Sequence, residues 1–122
     1  MSAVPVSAAA ALLVLGIAAP AAARPAPPSP EVARGRQLYV ATGCYQCHGY
    51  VGQGGKATGP ALLPTLAPLP AFTAQLRHPV NEMPPYTAKV MPDADVAAIH
   101  AYLAALPPSP AVADIALLKD RP

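Results

Sequence analysis

Proline placement restricts where this chain can form helices. The sequence holds 18 prolines among 122 residues, and a proline inside a helix removes a backbone donor and clashes with the preceding turn. Helices are therefore predicted in three intervals, over 31–42, from Pro70 to about His78, and from Pro92 to Pro107. Between the first two intervals, closely spaced glycines and prolines predict a long loop. The pattern indicates an all-α fold with extended connections.

The third interval has the clearest helical pattern. Apolar residues recur there at positions i, i+3, i+7 and i+10, as expected for a helix with one buried face. They are Val96, Ile99, Leu103 and Leu106. Asp93 and Asp95 lie at the start of the interval, where the helix dipole favours negative charge. The segment that follows holds a short helical stretch at most.

The N-terminal segment has the composition of a secretory leader. No charged side chain precedes Arg24, and an apolar run ends in alanines that form an A-x-A cleavage signal. We predict a signal peptide over 1–23, a Pro-rich linker over 24–30, one folded domain over 31–107 and a tail over 108–122. The leader carries no Lys or Arg, so retention as a membrane tether is the alternative. Either case predicts a periplasmic domain.

The only two cysteines lie in Cys44-Tyr45-Gln46-Cys47-His48. This C-x-x-C-H sequence is typical of covalent attachment of c-type haem. The two thiols each form a thioether to the porphyrin, and the histidine is the proximal iron ligand. Cys44, Cys47 and His48 are therefore the predicted attachment and ligand residues for one haem c.

Three other readings of the two cysteines stay open at this point. A thioredoxin-like thiol pair requires a βαβ context, which the sequence does not suggest. A zinc site requires about four ligands, and the motif supplies at most three. A structural disulfide would leave His48 without a role.

Two methionines of the folded domain could supply a sixth, thioether ligand to iron. Met83 is preferred, because it lies in a loop stiffened by Pro84 and Pro85, which limits the entropy lost on holding the sulfur in place. Met91 directly precedes the last predicted helix and can pack against it instead. His78 is a further alternative.

The chain resembles class I bacterial c-type cytochromes from Glu31 to about Leu106. The matching residues are the haem motif, Gly35 and Tyr39 in the first helix, the Ile99–Tyr102 pair in the last, and Gly59-Pro60-Ala61-Leu62. The resemblance implies that the N- and C-terminal helices cross, with loops and a short middle helix around one haem. It also implies that the Pro60 carbonyl accepts a hydrogen bond from the ligating histidine.

These features predict a single-electron carrier rather than an enzyme. Its partners would be redox proteins, as for a free shuttle or for the cytochrome subunit of a respiratory dehydrogenase or oxidase. A net charge of +2 gives no reason to expect nucleic acid as a partner. The alternative functions are a haem sensor or small haem enzyme with an open sixth site, and a haem-free thiol–disulfide oxidoreductase.

Overall fold

A computed structural model describes residues 26–119 of the protein. Helix α1 spans Pro30–Ala41, α2 spans Cys44–His48, α3 spans Leu69–Arg77 and α4 spans Asp93–Ala104. A 3₁₀ helix, Val112–Asp114, and a short helix α5, Ala116–Lys119, follow. No strand occurs in these residues, and the all-α fold class is confirmed. The predicted signal peptide and the start of the linker lie outside the described residues.

Local sequence signals account for the ends of α1. Ser29 is the N-cap, and its hydroxyl accepts a hydrogen bond from the Val32 N–H (3.3 Å). Pro30 occupies the first helical position, where its missing N–H costs nothing. At the other end, Gly43 adopts φ 78°, a conformation that glycine tolerates better than other residues. This turn separates α1 from α2.

Helices α3 and α4 agree with the predicted intervals except at their ends. Helix α3 begins at Leu69 and is capped by His78, the residue before Pro79. Helix α4 ends at Ala104, before Leu106, which the periodicity placed inside the helix. The Leu106 N–H instead donates to the Leu103 carbonyl in a turn (3.2 Å), and its side chain still packs against the core.

The main core lies where α1 crosses α4. Gly35 makes this crossing close, because a Cβ added there would lie 1.9 Å from the Ala98 carbonyl oxygen. The rings of Tyr39 and Tyr102 pack beside it, with their centroids 5.6 Å apart. The fully or nearly buried apolar residues are Tyr39, Leu76, Met91, Val96, Ala98, Ile99, Tyr102 and Leu103. Within residues 26–119, no helix has the length and apolarity needed to cross a membrane.

Candidate haem-binding site

Helix α2 presents the predicted attachment residues on one side. Cys44, Cys47 and His48 are related as i, i+3 and i+4, the spacing that places helical side chains side by side. Both cysteines are free; Cys44 is half-buried and Cys47 is exposed. Glycines with positive φ lie on each side of α2, Gly43 at 78° and Gly49 at 74°. These two glycines let the chain turn sharply into and out of the five-residue helix.

The Cys44 thiol lies in a partly apolar environment beside Thr42. The Thr42 hydroxyl donates its only proton to the Leu38 carbonyl (2.7 Å). Its oxygen is therefore the acceptor in the 3.3 Å contact with the Cys44 sulfur. Burial raises the pKa of the Cys44 thiol above its usual value. Burial thus favours the protonated form of Cys44.

The His48 ring is oriented by a backbone carbonyl. Its Nδ1 lies 2.8 Å from the Pro60 oxygen, and a carbonyl can only accept, so Nδ1 carries the proton. In the neutral ring this leaves the lone pair of Nε2 free to bind a metal. A partner of this kind fixes the tautomer and the orientation of a ligating histidine.

A tight loop brings Pro60 back to His48. The Gly54 N–H donates to the His48 carbonyl (2.8 Å), and the Gly55 N–H donates to the Gly59 carbonyl (2.9 Å). Gly54 has φ 71°, and a Cβ on it would lie 2.5 Å from the Ala61 nitrogen. The two sides of this loop can therefore approach closely only because residue 54 is glycine.

Two tyrosine hydroxyls hold the chain just after His48. The Tyr39 hydroxyl donates to the Gly49 carbonyl (2.7 Å), and the Tyr102 hydroxyl donates to the Tyr50 carbonyl (2.8 Å). The crossing of α1 and α4 thus positions the histidine as well as forming the core. The sequence predicts both tyrosines at the crossing of the two helices but gives no signal for these hydrogen bonds.

Met83 lies on a different segment, the loop over residues 78–92 between α3 and α4, which we call the methionine loop. Its side chain is half-buried and packs against the core, and Gln75 Nε2 lies 3.8 Å from its sulfur. Tyr86, farther along this loop, donates to the carbonyl of Thr42 (3.3 Å), beside the attachment helix. Burial, followed by the neighbouring Cys44 and Cys47 thiols, raises the pKa of Tyr86. The methionine loop therefore lies next to the cysteines.

The alternative ligands occupy other environments. Met91 is 1% exposed and belongs to the core beside α4. His78 is exposed at the end of α3. His100 Nε2 lies 2.9 Å from the Ala67 carbonyl oxygen, and its ring packs edge-on against Phe72. In the described part of the chain, no three His, Cys, Asp or Glu residues are grouped as a metal site would need.

The family comparison decides the class of protein. The family model described as cytochrome c oxidase, cbb3-type, subunit III matches residues 30–103. The chain belongs to this family. Comparisons with curated proteins and with solved structures give no significant match. The resemblance to c-type cytochromes is confirmed, and with it haem c, covalently bound and containing iron, as the cofactor of this cytochrome domain.

The side chains of this cytochrome domain suit haem c. The groups that could hold it are two thiols, an imidazole with one nitrogen free, and a thioether on a neighbouring loop. Half-buried apolar side chains of the loops and of α3 pack against the same core as Met83. They include Leu62, Leu66, Phe72 and Tyr86. Cytochrome c domains typically carry electrons and are typically exported, and electron transfer by haem c is the function that this family membership supports.

Proposed function

We propose that the protein is an exported single-electron carrier whose haem is attached through Cys44 and Cys47 and ligated by His48 and Met83. The observation that carries the proposal is the 2.8 Å contact between His48 Nδ1 and the Pro60 oxygen. It gives the histidine of the attachment motif the tautomer and orientation of an iron ligand. A thiol–disulfide centre has no need of this arrangement, and a zinc site would need about four ligands, of which the motif supplies at most three.

In this proposal His48 and Met83 would hold the haem iron, and both would influence its redox equilibrium. Haem supplies one-electron exchange between Fe(II) and Fe(III). His48 donates through Nδ1–H to Pro60, which increases the donor strength of Nε2. The Met83 thioether is a soft donor that favours the reduced state and raises the potential. With both residues bound to the iron, no site would remain open for a substrate.

The proposed partners are redox proteins, and the name of the matching family points to an oxidase complex. We propose that the domain receives and delivers electrons as the cytochrome component of such a respiratory assembly or as a shuttle beside it. The sequence supports export, through a leader over 1–23, and a spacer over 24–30 ahead of a domain over 31–107. The tail over 108–122 completes this proposed organisation.

Spectroscopy of matched variants tests the ligand assignment. The protein is matured with haem-attachment machinery, and the near-infrared sulfur-to-iron absorption band is recorded for the wild type, Met83→Leu and Met91→Leu. Leucine keeps the volume of methionine but removes the sulfur, so both variants are expected to fold. We expect the band in the wild type and in Met91→Leu, and its loss in Met83→Leu.

Other outcomes would contradict particular parts of the proposal. Loss of the band in Met91→Leu alone would show that Met91 is the ligand. Rapid binding of carbon monoxide by the reduced wild type at neutral pH would favour a ligand-binding haem protein instead. Haem that is removed by acid–acetone extraction would rule out attachment through Cys44 and Cys47.

A further inference from the structure

Arg77 joins three parts of the fold near the methionine loop. It lies in the last turn of α3, and only 15% of its side chain is exposed. One guanidinium nitrogen donates to the Tyr86 carbonyl oxygen (2.7 Å). The other terminal nitrogen lies 2.5 Å from a carboxylate oxygen of Asp93, the first residue of α4. Arginine suits this position because its planar fork can satisfy two acceptors at once.

Tyr86 is the point at which the methionine loop is anchored. It follows Met83 by three residues, and its N–H donates to the Leu76 carbonyl (2.8 Å). Its carbonyl accepts from Arg77, and its hydroxyl donates to the Thr42 carbonyl (3.3 Å). Tyr86 is therefore tied to α3 on one side and to the turn before the attachment helix on the other. Only the Arg77 contact carries a full charge, which strengthens it.

The two contacts of Arg77 differ in their surroundings. Asp93 is 82% exposed, so water screens its ion pair with Arg77. The carbonyl contact involves the largely buried guanidinium and the half-buried Tyr86. Removal of the guanidinium would leave that carbonyl without its donor. The carbonyl contact is thus the more important of the two for holding the loop.

From these contacts we infer that Arg77 is a positioning residue that clamps the methionine loop to α3 and so holds Met83 at its site. The inference rests on the proposed function for the identity of the ligand. The clamp itself is a property of the loop and can be measured separately. Arg77 acts through Tyr86, whereas the donor nearest the Met83 sulfur is Gln75 Nε2.

The test compares Arg77→Gln with Arg77→Lys, Asp93→Asn and the exposed control Arg36→Gln. Amide hydrogen exchange of the segment 79–91 measures how firmly Arg77 holds the loop. Imidazole binding to the oxidised haem protein measures how firmly the sixth ligand is held. Arg77→Gln should speed exchange in this segment and strengthen apparent imidazole binding by roughly 10- to 100-fold, the equivalent of one charge-assisted hydrogen bond. Arg77→Lys should give an intermediate result, and Asp93→Asn and Arg36→Gln should stay near the wild type.

The outcomes separate the clamp from the ligand assignment. If the sulfur-to-iron band is absent from the wild type but Arg77→Gln still speeds exchange in 79–91, the proposed ligation fails and the clamp stands. If the wild type shows the band and Arg77→Gln changes neither exchange nor imidazole binding, the clamp is wrong. An effect of Asp93→Asn equal to that of Arg77→Gln would also overturn it, because the ion pair would then hold the loop. If Arg77→Gln does not fold, Arg77→Lys and Asp93→Asn decide by the same criteria.

Discussion

At the scale of single residues, tyrosine hydroxyls connect the core to the haem site. Tyr39 is 1% exposed, and its hydroxyl reaches the carbonyl that follows His48. The phenol O–H therefore already has an acceptor, and the ring packs against Tyr102. Burial is the main reason that the pKa of Tyr39 is raised well above its usual value, with smaller contributions from Cys44 and Tyr102. The native state therefore strongly favours the protonated phenol.

This raised pKa predicts a pH-dependent effect of Tyr39→Phe. At pH 8 the variant should lose about 1 kcal/mol of unfolding free energy with the hydrogen bond to Gly49. Tyrosine in the unfolded chain has a pKa of about 10, and below that pH the stability contributed by the raised pKa of Tyr39 is fully present. Above it this contribution is lost, by at most about 1.4 kcal/mol per pH unit. Only the wild type has this pH dependence. The difference in unfolding free energy between wild type and Tyr39→Phe should therefore narrow between pH 8 and pH 11.

Denaturant unfolding of both haem proteins at each pH measures this difference. Tyr50→Phe is the control, because the Tyr50 side chain is 59% exposed, and its unfolding free energy should stay within about 0.5 kcal/mol of the wild type at pH 8. A gap between wild type and Tyr39→Phe that is constant or widens above pH 10 would contradict the assignment of a raised pKa to Tyr39.

At the scale of helices, the crossing of α1 and α4 sets the geometry of the site. The close approach at Gly35 lets Tyr39 and Tyr102 lie side by side, and both hydroxyls then reach consecutive carbonyls after His48. An ion pair between the exposed Arg34 and the partly buried Asp95 also joins the two helices. A pair of this kind contributes little, because water screens it. Packing at the crossing is the main determinant of this arrangement.

Gly35→Ala tests the closeness of that crossing. Alanine is the better helix former by about 0.8–1.0 kcal/mol, so propensity alone predicts stabilisation. The new Cβ would lie 1.9 Å from the Ala98 oxygen, and overpacking of this kind costs about 1–3 kcal/mol or more. We expect a net loss of at least about 1 kcal/mol in chemical denaturation. The next residue supplies the control, since exposed Arg36→Ala should change stability by less than about 0.5 kcal/mol. A more stable Gly35→Ala protein would show that the helices can separate without cost.

At the scale of the whole molecule, the C-terminal tail is set apart from the core. Its 3₁₀ helix and α5 pack on each other and on no other helix of the described residues. Leu117 is 90% exposed there. Leu106, just ahead of the tail, packs against the core instead. We therefore expect the boundary between domain and tail to lie after Leu106.

Deletion of residues 111–122 tests this boundary. We expect the sulfur-to-iron band to be unchanged and the unfolding free energy to stay within about 0.5 kcal/mol, because little core surface is lost. Leu106→Ala is the comparison, and loss of its half-buried side chain should cost roughly 1–2 kcal/mol. A tail deletion that destabilises the haem protein as much as Leu106→Ala would place the tail within the folded domain.

Much of the helical fold could be predicted because its signals are local. Pro30 and Gly43 delimit α1, and Pro79 stops α3 within one residue of the observed end. The end of α4 was less predictable, because the apolar repeat continues through Leu106 although the helix ends at Ala104. Leu106 packs against the core from a turn. The apolar repeat therefore cannot distinguish a turn at this position from a further turn of helix.

The sequence by itself determined the chemistry of this protein, because a haem-attachment motif needs only neighbouring residues of fixed type and spacing. It also predicted where the helices lie, through the placement of its prolines and the apolar repeat of the last helix. Only the tertiary structure decided which distant groups complete the site: Tyr102 with the Tyr50 carbonyl, and Arg77 with the Tyr86 carbonyl. The physical reason is that each acceptor is a backbone oxygen. Every residue has one, so side-chain identity cannot reveal which of them a folded donor will reach.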